Sequence, residues 1–566
     1  MRKVEPERPL TAGFSLNTVF VVLNTSDFDG VIVGAGQHGL VLGCYLARAG
    51  LRVALVDRRM QYGGGLMSEE VTLPGFVHNL HSINHWDLQR TPWYRDLELA
   101  ARTRYVTPAY EFSQPHSDGT ALVFARNLEE TVASIARFSR RDAQTFREWN
   151  RIAEPVTREI FVHERFAEPL PRAEREELLG RTPEGRQFLE LTRRQPYRII
   201  TELFEDERVQ VFLLFKLSLF GTVLYDMIHD ESPTGSILRA FDIDTGYDMC
   251  VGGSWNLARG LMEDFVRHGG AFVNQAPVAR ITVEGGRATG VECEDGRVLR
   301  GRRFVASTID VHQTFQEMVG REQLPDEFDA KVAAHHYTPW ALYGVHLALR
   351  EAPRYTSTEF DPNVNRAMKQ NIGSDTLEQL MGVHATVQAK EMPTDIQFGA
   401  GPLTMIDPTQ APPGMHTAYA WHVVPYDPGG DPGSAEQYRE SFGHRIIEKW
   451  REYAPNLTED NILGAYFYTP QDYVAHLPNM RGGDIFMGAF SSDQVMWNHF
   501  GYRTPVEGLY YAGSAAHPGG AISGGAGYIV ARLICDDLGI DPWWTPVDAR
   551  GAIERFSERR LVRGRS

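Results

Sequence analysis

The chain has 566 residues, of which 42% are hydrophobic and 23% charged, enough for two or more domains with a large core. Its 73 acidic and 57 basic residues give a formal net charge of −16. This balance argues against nucleic acid as a main partner, because phosphate binding needs a concentrated basic surface. The four cysteines are far apart and form no CxxC pair, which indicates a reducing compartment and no disulfide framework.

No stretch reaches the about 18 to 20 uninterrupted apolar residues that a membrane-spanning helix needs. The most apolar segment, 209–224, is interrupted by polar residues and predicts a buried helix. We therefore expect a cytoplasmic protein, with peripheral membrane contact left open. Residues 1–26 are interpreted as an N-terminal extension, and residues 541–566 as a C-terminal tail with a solvated basic end.

The first strongly patterned segment spans residues 28–57. A buried strand (28–34) leads into a glycine-rich turn, then an amphipathic helix (40–49) and a second strand (53–56) that ends at an acidic residue. This order of strand, turn, helix and strand is the βαβ dinucleotide fingerprint.

Each residue of the fingerprint has a physical role. Gly34 permits the tight turn, Gly36 lets the backbone approach a pyrophosphate, and Gly39 lets the helix pack on the strand. Asp57 can accept hydrogen bonds from an adenosine ribose. The segment therefore predicts a nucleotide site.

Later segments extend this unit. Short strands with hairpin turn signals predict a β-meander over 271–273, 278–283, 288–293 and 303–307. A strand over 509–512 is followed by a glycine-rich loop and a helix over 527–538. We predict a nucleotide-binding domain built from residues 27–105, 251–310 and 481–540, with a second domain built from 106–250 and 311–480.

Three ordered glycine motifs carry a family resemblance. The segments starting at Phe28, Tyr62 and Leu509 resemble the flavin-binding motifs of the phytoene desaturase-related oxidoreductases. Within that family the chain looks most similar to the branch of the pyridine nucleotide-disulphide oxidoreductase-domain protein and bacterial carotenoid desaturase-like dehydrogenases. The resemblance covers about residues 27 to 540.

The resemblance implies an α/β fold with FAD as cofactor. Its first domain would be Rossmann-like, of the glutathione-reductase-like two-dinucleotide-binding type, with an inserted α+β substrate domain. The residues implied to hold FAD are Gly34, Gly36, Gly39, Asp57, Arg58, Gly64, Gly65, Val278, Gly513, Ser514, Gly520 and Ile522. The chain has neither a CxxxxC-type dithiol nor a second nicotinamide-type GxGxxG, so direct disulfide reduction by NAD(P)H is disfavoured.

Candidate catalytic residues lie near the last motif. His517 could act as an acid or base beside the flavin, or it could only hold the loop by hydrogen bonds. Asp493 and Gln494 precede the loop and could face the substrate, or they could have surface roles.

A group of histidines follows the second glycine motif. His78, His81 and His85 have spacings that would place them on one helical face. With no obvious acidic or cysteine partner we predict no metal site, and we expect this stretch to line the substrate cavity or to be packed.

The leading hypothesis is an FAD-dependent enzyme that dehydrogenates a hydrophobic small molecule and is reoxidised by oxygen, a quinone or another carrier. A flavin-dependent amine oxidase and a redox-neutral isomerase are alternatives on the same framework. A non-catalytic binder of lipids or prenylated proteins is the alternative from another class.

Overall fold

The computed structural model describes residues 27–218, 230–431 and 433–563. The interpreted N-terminal extension, 1–26, lies outside this part. The helix expected over 209–224 is present as Glu207–Ser218, with Val209 and Leu213 buried, and its remaining residues lie outside the described part.

The strands are short and numerous, and they are numbered here in chain order. They are β1 (Asp27–Val33), β2 (Val53–Val56), β3 (His85–Trp86), β4 (Tyr105–Val106), β5 (Tyr110–Pro115), β6 (Ala121–Ala125), β7 (Tyr247–Cys250), β8 (Ala271–Val273), β9 (Val278–Glu284), β10 (Arg287–Cys293), β11 (Val298–Ser307), β12 (Ala341–Leu349), β13 (Lys369–Ile372), β14 (Phe398–Gly401), β15 (His416–Val424), β16 (Ile462–Tyr468) and β17 (Leu509–Tyr511).

The α-helices fall between and around these strands. They span Gln37–Arg48, Pro92–Asp96, Leu128–Ala136, Arg140–Val156, Val162–Glu164, Arg172–Leu179, Pro183–Thr192, Pro196–Leu203, Glu207–Ser218, Trp255–Arg267, Asp326–Ala334, Leu377–Gln388, Arg439–Tyr453, Pro470–His476, Gly525–Leu538 and Ala549–Arg563. Within the described residues, no helix is both long and apolar enough to cross a bilayer.

The first sheet has the order β8-β2-β1-β11-β10-β9, with β17 also paired to β11. Strands β8, β2, β1, β11 and β17 are parallel, whereas β9 and β10 form an antiparallel extension. The predicted Rossmann-like α/β fold is confirmed. Its strands come from three distant parts of the chain, each inside one predicted piece of the nucleotide-binding domain.

One predicted strand has a different partner. We expected Ala271–Val273 to open the β-meander, but it pairs in parallel with β2. It follows directly on the helix Trp255–Arg267 and its ends are buried, so it enters the sheet as a parallel strand after a helix and not through a hairpin. The meander therefore consists of β9, β10 and β11.

The second sheet has the order β16-β12-β15-β14-β13-β5-β6 and is antiparallel except where β13 runs parallel to β5. A layer of helices between Leu128 and Ser218 packs with β5 and β6 in a core of its own. All strands of this sheet lie in the segments predicted to form the substrate domain.

The C-terminal segment differs from the expected solvated tail. Residues Ala549–Arg563 form a helix whose Ile553 and Phe556 are 0% and 1% exposed in the helical core. Three basic residues of this helix, Arg550, Arg559 and Arg560, pair with acidic residues of that layer. The sequence prediction took the charges for solvation, whereas the two apolar side chains dock the helix.

Candidate functional site

A cavity of about 440 Å³ joins the two sheets. One end is lined by residues of the first sheet and its loops, among them Gly34, Gly36, Asp57 and Val278. The other end is lined by residues of the second sheet and the helical layer, including Trp421 and Lys369. A single elongated space therefore contacts both predicted domains.

The glycine turn after β1 forms an open anion cradle. Gly34 has a φ of +95°, a backbone conformation that favours glycine. The helix Gln37–Arg48 begins at Gly36 with no side-chain cap, so its first N–H groups are free to bind an anion. Gly36 lies opposite Gly64. A Cβ added to Gly64 would lie only 3.0 Å from the Cα of Gly36. The residues fit a pyrophosphate held close to backbone.

Asp57 organises the adjoining loops. Its two carboxylate oxygens each accept a 2.9 Å hydrogen bond, from the backbone N–H of Ala35 and of Arg59. Burial raises the pKa of this carboxyl group. Arg58 and Val278, which the resemblance implies lie beside the adenosine, also line this end of the cavity.

The second and third glycine motifs supply the opposite wall. Gly64, Gly65, Ser514, Gly520 and Ile522 all line the cavity. The hydroxyl of Ser514 is buried and has no hydrogen-bond partner among the described residues. An orphaned buried hydroxyl that faces a cavity is what a bound polar cofactor would satisfy.

Two of the implied FAD residues do not line the cavity. A side chain at Gly39 would collide with the carbonyl oxygen of Gly34, so this glycine lets the helix pack on the turn. A Cβ at Gly513 would lie 2.6 Å from the carbonyl oxygen of Ile309. Both glycines therefore allow close backbone packing next to the cavity without lining it.

His517 lies away from the main cavity. Its Nε2 is 2.7 Å from the carbonyl oxygen of Glu164, and its own carbonyl accepts a hydrogen bond from the hydroxyl of Tyr502. It lines two smaller neighbouring cavities of about 60 and 20 Å³. Burial lowers its pKa to about 4. These contacts favour the loop-holding role over the acid or base role.

Asp493 and Gln494 also lie outside the main cavity. The side chain of Asp493 is 67% exposed and accepts a hydrogen bond from Ser491. The amide of Gln494 bonds the backbone N–H and carbonyl of His336 at 3.1 and 2.9 Å, which ties two loops together. The structure does not bring these residues together with the cavity lining.

The prediction that His78, His81 and His85 share one helical face is wrong. His85 belongs to β3, and Glu69 and His78 form an isolated bridge, so the three side chains do not share a helix face. Extended backbone is favoured here because His78 and His85 find partners on other segments. His81 does line the cavity, which was one of the two expectations for this stretch.

A hydrogen-bonded chain runs from His81 toward the outside. The hydroxyl of Tyr468 is 3.1 Å from Nε2 of His81 and 2.6 Å from Nδ1 of His476. Nδ1 of His81 has no partner among the described residues, and burial lowers the pKa of this imidazole to about 3. His476 is partly exposed and also lines the cavity. No sequence pattern marks this chain, since its members are almost 400 residues apart.

Three basic residues at the far end of the cavity were also missed. Arg165, Arg239 and Lys369 line it together with Trp86 and Tyr247. Burial lowers the pKa of Arg165 to about 9 and that of Lys369 to about 7. No local motif marks these residues, because they come from three separate elements.

Known proteins now place this site in a family. Residues 32–98 match the NAD(P)-binding Rossmann-like domain. The chain is 30% identical to a limonene dehydrogenase subunit of Castellaniella defragrans, over 92% of this chain and 96% of that one. The chain belongs to the phytoene desaturase-related family of FAD-dependent oxidoreductases.

The predicted branch of this family is confirmed as well. The chain is 27% identical to pyridine nucleotide-disulfide oxidoreductase domain-containing protein 2 of Rattus norvegicus, over 90% of this chain and 94% of that one. The fold is similar to that of a putrescine oxidase, with a TM-score of 0.58 at 15% identity over 91% of this chain and 99% of that one. The protein is an FAD-dependent oxidoreductase.

Proposed function

We propose that the protein dehydrogenates an apolar small molecule at a C–H bond and passes the electrons to oxygen or a quinone. The observation that carries this proposal is the single cavity, which is lined by the flavin motifs at one end and by apolar side chains at the other. The name of its limonene dehydrogenase relative supports an apolar substrate.

The chain's own residues would hold FAD along the first sheet. The N-terminus of the helix Gln37–Arg48 would bind the pyrophosphate with its free N–H groups, next to Gly64. The orphaned hydroxyl of Ser514 would hydrogen-bond the cofactor. When bound, FAD accepts a hydride from a carbon held against its ring.

The substrate would lie at the end of the cavity formed by the second sheet. Ile83, Trp421, Ile485, Phe486 and Phe490 line this end and would exclude water from a reacting C–H bond. Holding the substrate in one orientation in such a space removes much of the entropic cost of the reaction.

The released proton would leave through the histidine chain. Nδ1 of His81 can take a proton, Nε2 can pass one to the hydroxyl of Tyr468, and Tyr468 can pass one to His476 at the partly exposed end. The catalytic roles of His517, Asp493 and Gln494 stay predictions that the cavity lining does not support.

The experiment is the spectrum of the purified protein, followed by anaerobic screening of monoterpenes and other apolar compounds for bleaching of the flavin band. We expect a yellow protein that releases FAD on denaturation. A bleaching amine with no bleaching hydrocarbon or alcohol would favour an amine oxidase, and turnover without bleaching would favour an isomerase. A colourless protein that cannot be reconstituted would favour the non-catalytic binder.

A matched pair of glycine variants tests the cradle. Gly36→Val should reduce bound FAD at least ~10-fold, because the methyl groups would occupy the space that the pyrophosphate needs. Gly382→Val is the control, since Gly382 lies on an exposed face of the helix Leu377–Gln388 with nothing within 4 Å of an added Cβ. Equal FAD content in both variants would contradict the proposed cradle.

A further inference from the structure

Three cationic side chains line the substrate end of the cavity. The residues Arg165 and Lys369 are 8% and 5% exposed, and both line the cavity. Arg239 lines the same end and is partly buried. This concentration of positive charge is unexpected in a chain with a net charge of −16 and in a cavity with apolar walls.

Aromatic rings support these cations. The Cζ of Arg165 lies 4.4 Å from the ring centroid of Trp86, and the Cζ of Arg239 lies 4.0 Å from the same centroid. The Nζ of Lys369 lies 4.4 Å from the ring centroid of Tyr247. A cation–π contact offsets only part of the hydration free energy that a charged group loses on burial.

No carboxylate among the described residues pairs with the side chain of Arg165 or of Lys369. Among the described residues, the guanidinium of Arg165 and the ammonium of Lys369 make no hydrogen bond to an acceptor and no ion pair with a carboxylate. The neighbouring Arg175 shows the usual solution, because its guanidinium bonds both oxygens of Glu164 at 2.6 and 3.0 Å. The buried Arg175 therefore has a carboxylate partner, whereas the guanidinium of Arg165 lines the cavity without one among the described residues.

The nearest carboxylates are engaged elsewhere. Glu111 accepts a 2.6 Å hydrogen bond from the backbone N–H of Tyr247, and Asp87 lies 3.5 Å from Arg90. Neither residue lines the cavity. The lowered pKa values of Arg165 and Lys369 have burial as their largest cause, in agreement with charges that lack a full counter-ion.

We infer that this end of the cavity binds a carboxylate group of the substrate. A carboxylate would form charge-assisted hydrogen bonds with Arg165 and Lys369, while the apolar body of the substrate packs against Trp421, Ile485 and Phe486. This inference rests on the proposed function and narrows its substrate class to an apolar acid.

An adjoining chamber gives the apolar body room. A smaller cavity of about 110 Å³ lies beside Lys369 and shares Trp421, Ile485 and Phe486 with the main one. It is otherwise lined mostly by apolar side chains, among them Trp340 and Leu342. A substrate could thus place its carboxylate beside the ammonium of Lys369 and its apolar chain against the apolar lining of this chamber.

The cations stand apart from the pyrophosphate cradle in the fold. Arg165 follows the helix Val162–Glu164, Arg239 lies in the helical turn Ser236–Ala240, and Lys369 begins β13 of the second sheet. The cradle belongs to β1 and the helix Gln37–Arg48 of the first sheet. The cofactor phosphates therefore have a site of their own.

The test compares acids with their amides on the purified holoenzyme. Octanoate and 4-phenylbutyrate are titrated against octanamide and 4-phenylbutanamide, with binding read from the shift of the flavin absorbance band. We expect each acid to bind about 10- to 100-fold more tightly than its amide, the range for a charge-assisted hydrogen bond. Lys369→Met and Arg165→Met should each remove most of this preference.

A second buried lysine provides the control. The Nζ of Lys216 donates a 3.3 Å hydrogen bond to the carbonyl of Asp242, and this lysine does not line the main cavity. Lys216→Met should leave the preference for acids unchanged. Because Lys369 and Arg165 pair with no carboxylate in the part of the chain that the structure describes, their Met variants should keep or raise the thermal midpoint, so failure to fold is not expected.

Several results would overturn the inference. One is equal or absent binding of both acids and amides. Another is a loss of FAD in Lys369→Met and Arg165→Met with the acid preference intact, which would assign the cations to the cofactor. Destabilised Met variants would show that the cations have partners inside the protein.

The failure of the proposed function would look different. The same ligands are therefore added to FAD-free protein, and binding is read from the thermal midpoint. A colourless protein that octanoate still stabilises would keep the carboxylate site and refute the oxidoreductase proposal.

Discussion

At the scale of single residues, the energetic cost of Lys369 is the clearest sign of function. Burial lowers its pKa to about 7, the ring centroid of Tyr247 lies 4.4 Å from its Nζ, and the nearby Glu111 opposes part of this shift. A buried ammonium that forms no ion pair with any described residue destabilises the folded state, and the carboxylate of the proposed substrate would offset part of this cost.

The sign of this effect predicts a pH dependence. Below pH 7 Lys369 is charged in both folded and unfolded chains, so the folded state bears the full cost of burial. Between pH 7 and the unfolded pKa of about 10.4 the folded protein releases the proton and the cost fades. Lys369→Met should therefore raise the thermal midpoint of the ligand-free protein more at pH 6 than at pH 9.5. The same shift at both pH values, or a lower midpoint, would contradict this expectation.

His517 is expected to stabilise the loop without acting on substrate. His517→Leu should cost about 1 to 3 kcal/mol, because it removes the buried hydrogen bond to Glu164. His517→Gln can still donate from its amide and should recover part of that stability. The measurements are the urea midpoint, the FAD content and the single-turnover rate of flavin reduction. A fully loaded His517→Gln enzyme reduced ~100-fold more slowly would restore the catalytic role.

Residue-level prediction succeeded where the backbone itself performs the role. The spacing of the fingerprint predicts Gly34 and Gly36, because a tight turn and a close approach require glycine within a few residues, whereas Gly64 is implied by the family resemblance. The sequence does not reveal Arg165 and Lys369 as site residues. Only the folded structure shows that no described carboxylate lies within ion-pair distance of them.

At the scale of secondary structure, the C-terminal helix Ala549–Arg563 packs into the helical core beside β5 and β6. Its Phe556 is 1% exposed among the helices of the second core. The segment was expected to be solvated because its arginines dominate the composition, while its buried apolar positions are few.

A substitution in this helix tests its docking. Phe556→Ala should lower the stability of the protein by about 3 to 5 kcal/mol through the cavity it creates. Leu561→Ala is the matched control, since Leu561 is 44% exposed and its loss should cost less than about 0.5 kcal/mol. The urea midpoint of tryptophan fluorescence measures both. Indistinguishable midpoints would mean that the helix does not contribute to the core.

Other elements show how far periodicity reaches. The strands β1 and β2 and the helix Gly525–Leu538 were predicted within about two residues, because each carries a strong apolar pattern. The helical face expected for His78, His81 and His85 was wrong, because histidine spacing alone does not distinguish a helix from extended segments held by distant strands.

At the scale of the whole molecule, the main cavity is lined by residues of both sheets. The sequence has a single dinucleotide fingerprint, and the matched Rossmann-like segment covers only residues 32–98. A nicotinamide cofactor therefore lacks a recognisable site of its own.

This organisation predicts the electron acceptor. In stopped-flow experiments the anaerobically reduced enzyme should be reoxidised by oxygen or a soluble quinone at least ~10-fold faster than by NAD⁺, since NAD⁺ would have to enter the substrate space. Each acceptor is mixed with the same reduced preparation, so the FAD content is constant. NAD⁺ as the fastest acceptor would contradict the prediction.

The amino-acid sequence alone was enough to identify the family and the Rossmann-like fold, and it predicts which glycines form the cofactor cradle. These features depend on backbone conformations that are encoded within short, glycine-marked segments. The folded structure was needed to show that His517 turns toward Glu164, that His81 reaches Tyr468, and that Arg165 and Lys369 share one cavity. Such side chains come from elements far apart in the chain, and long-range packing alone determines which of them meet and which stay without a partner.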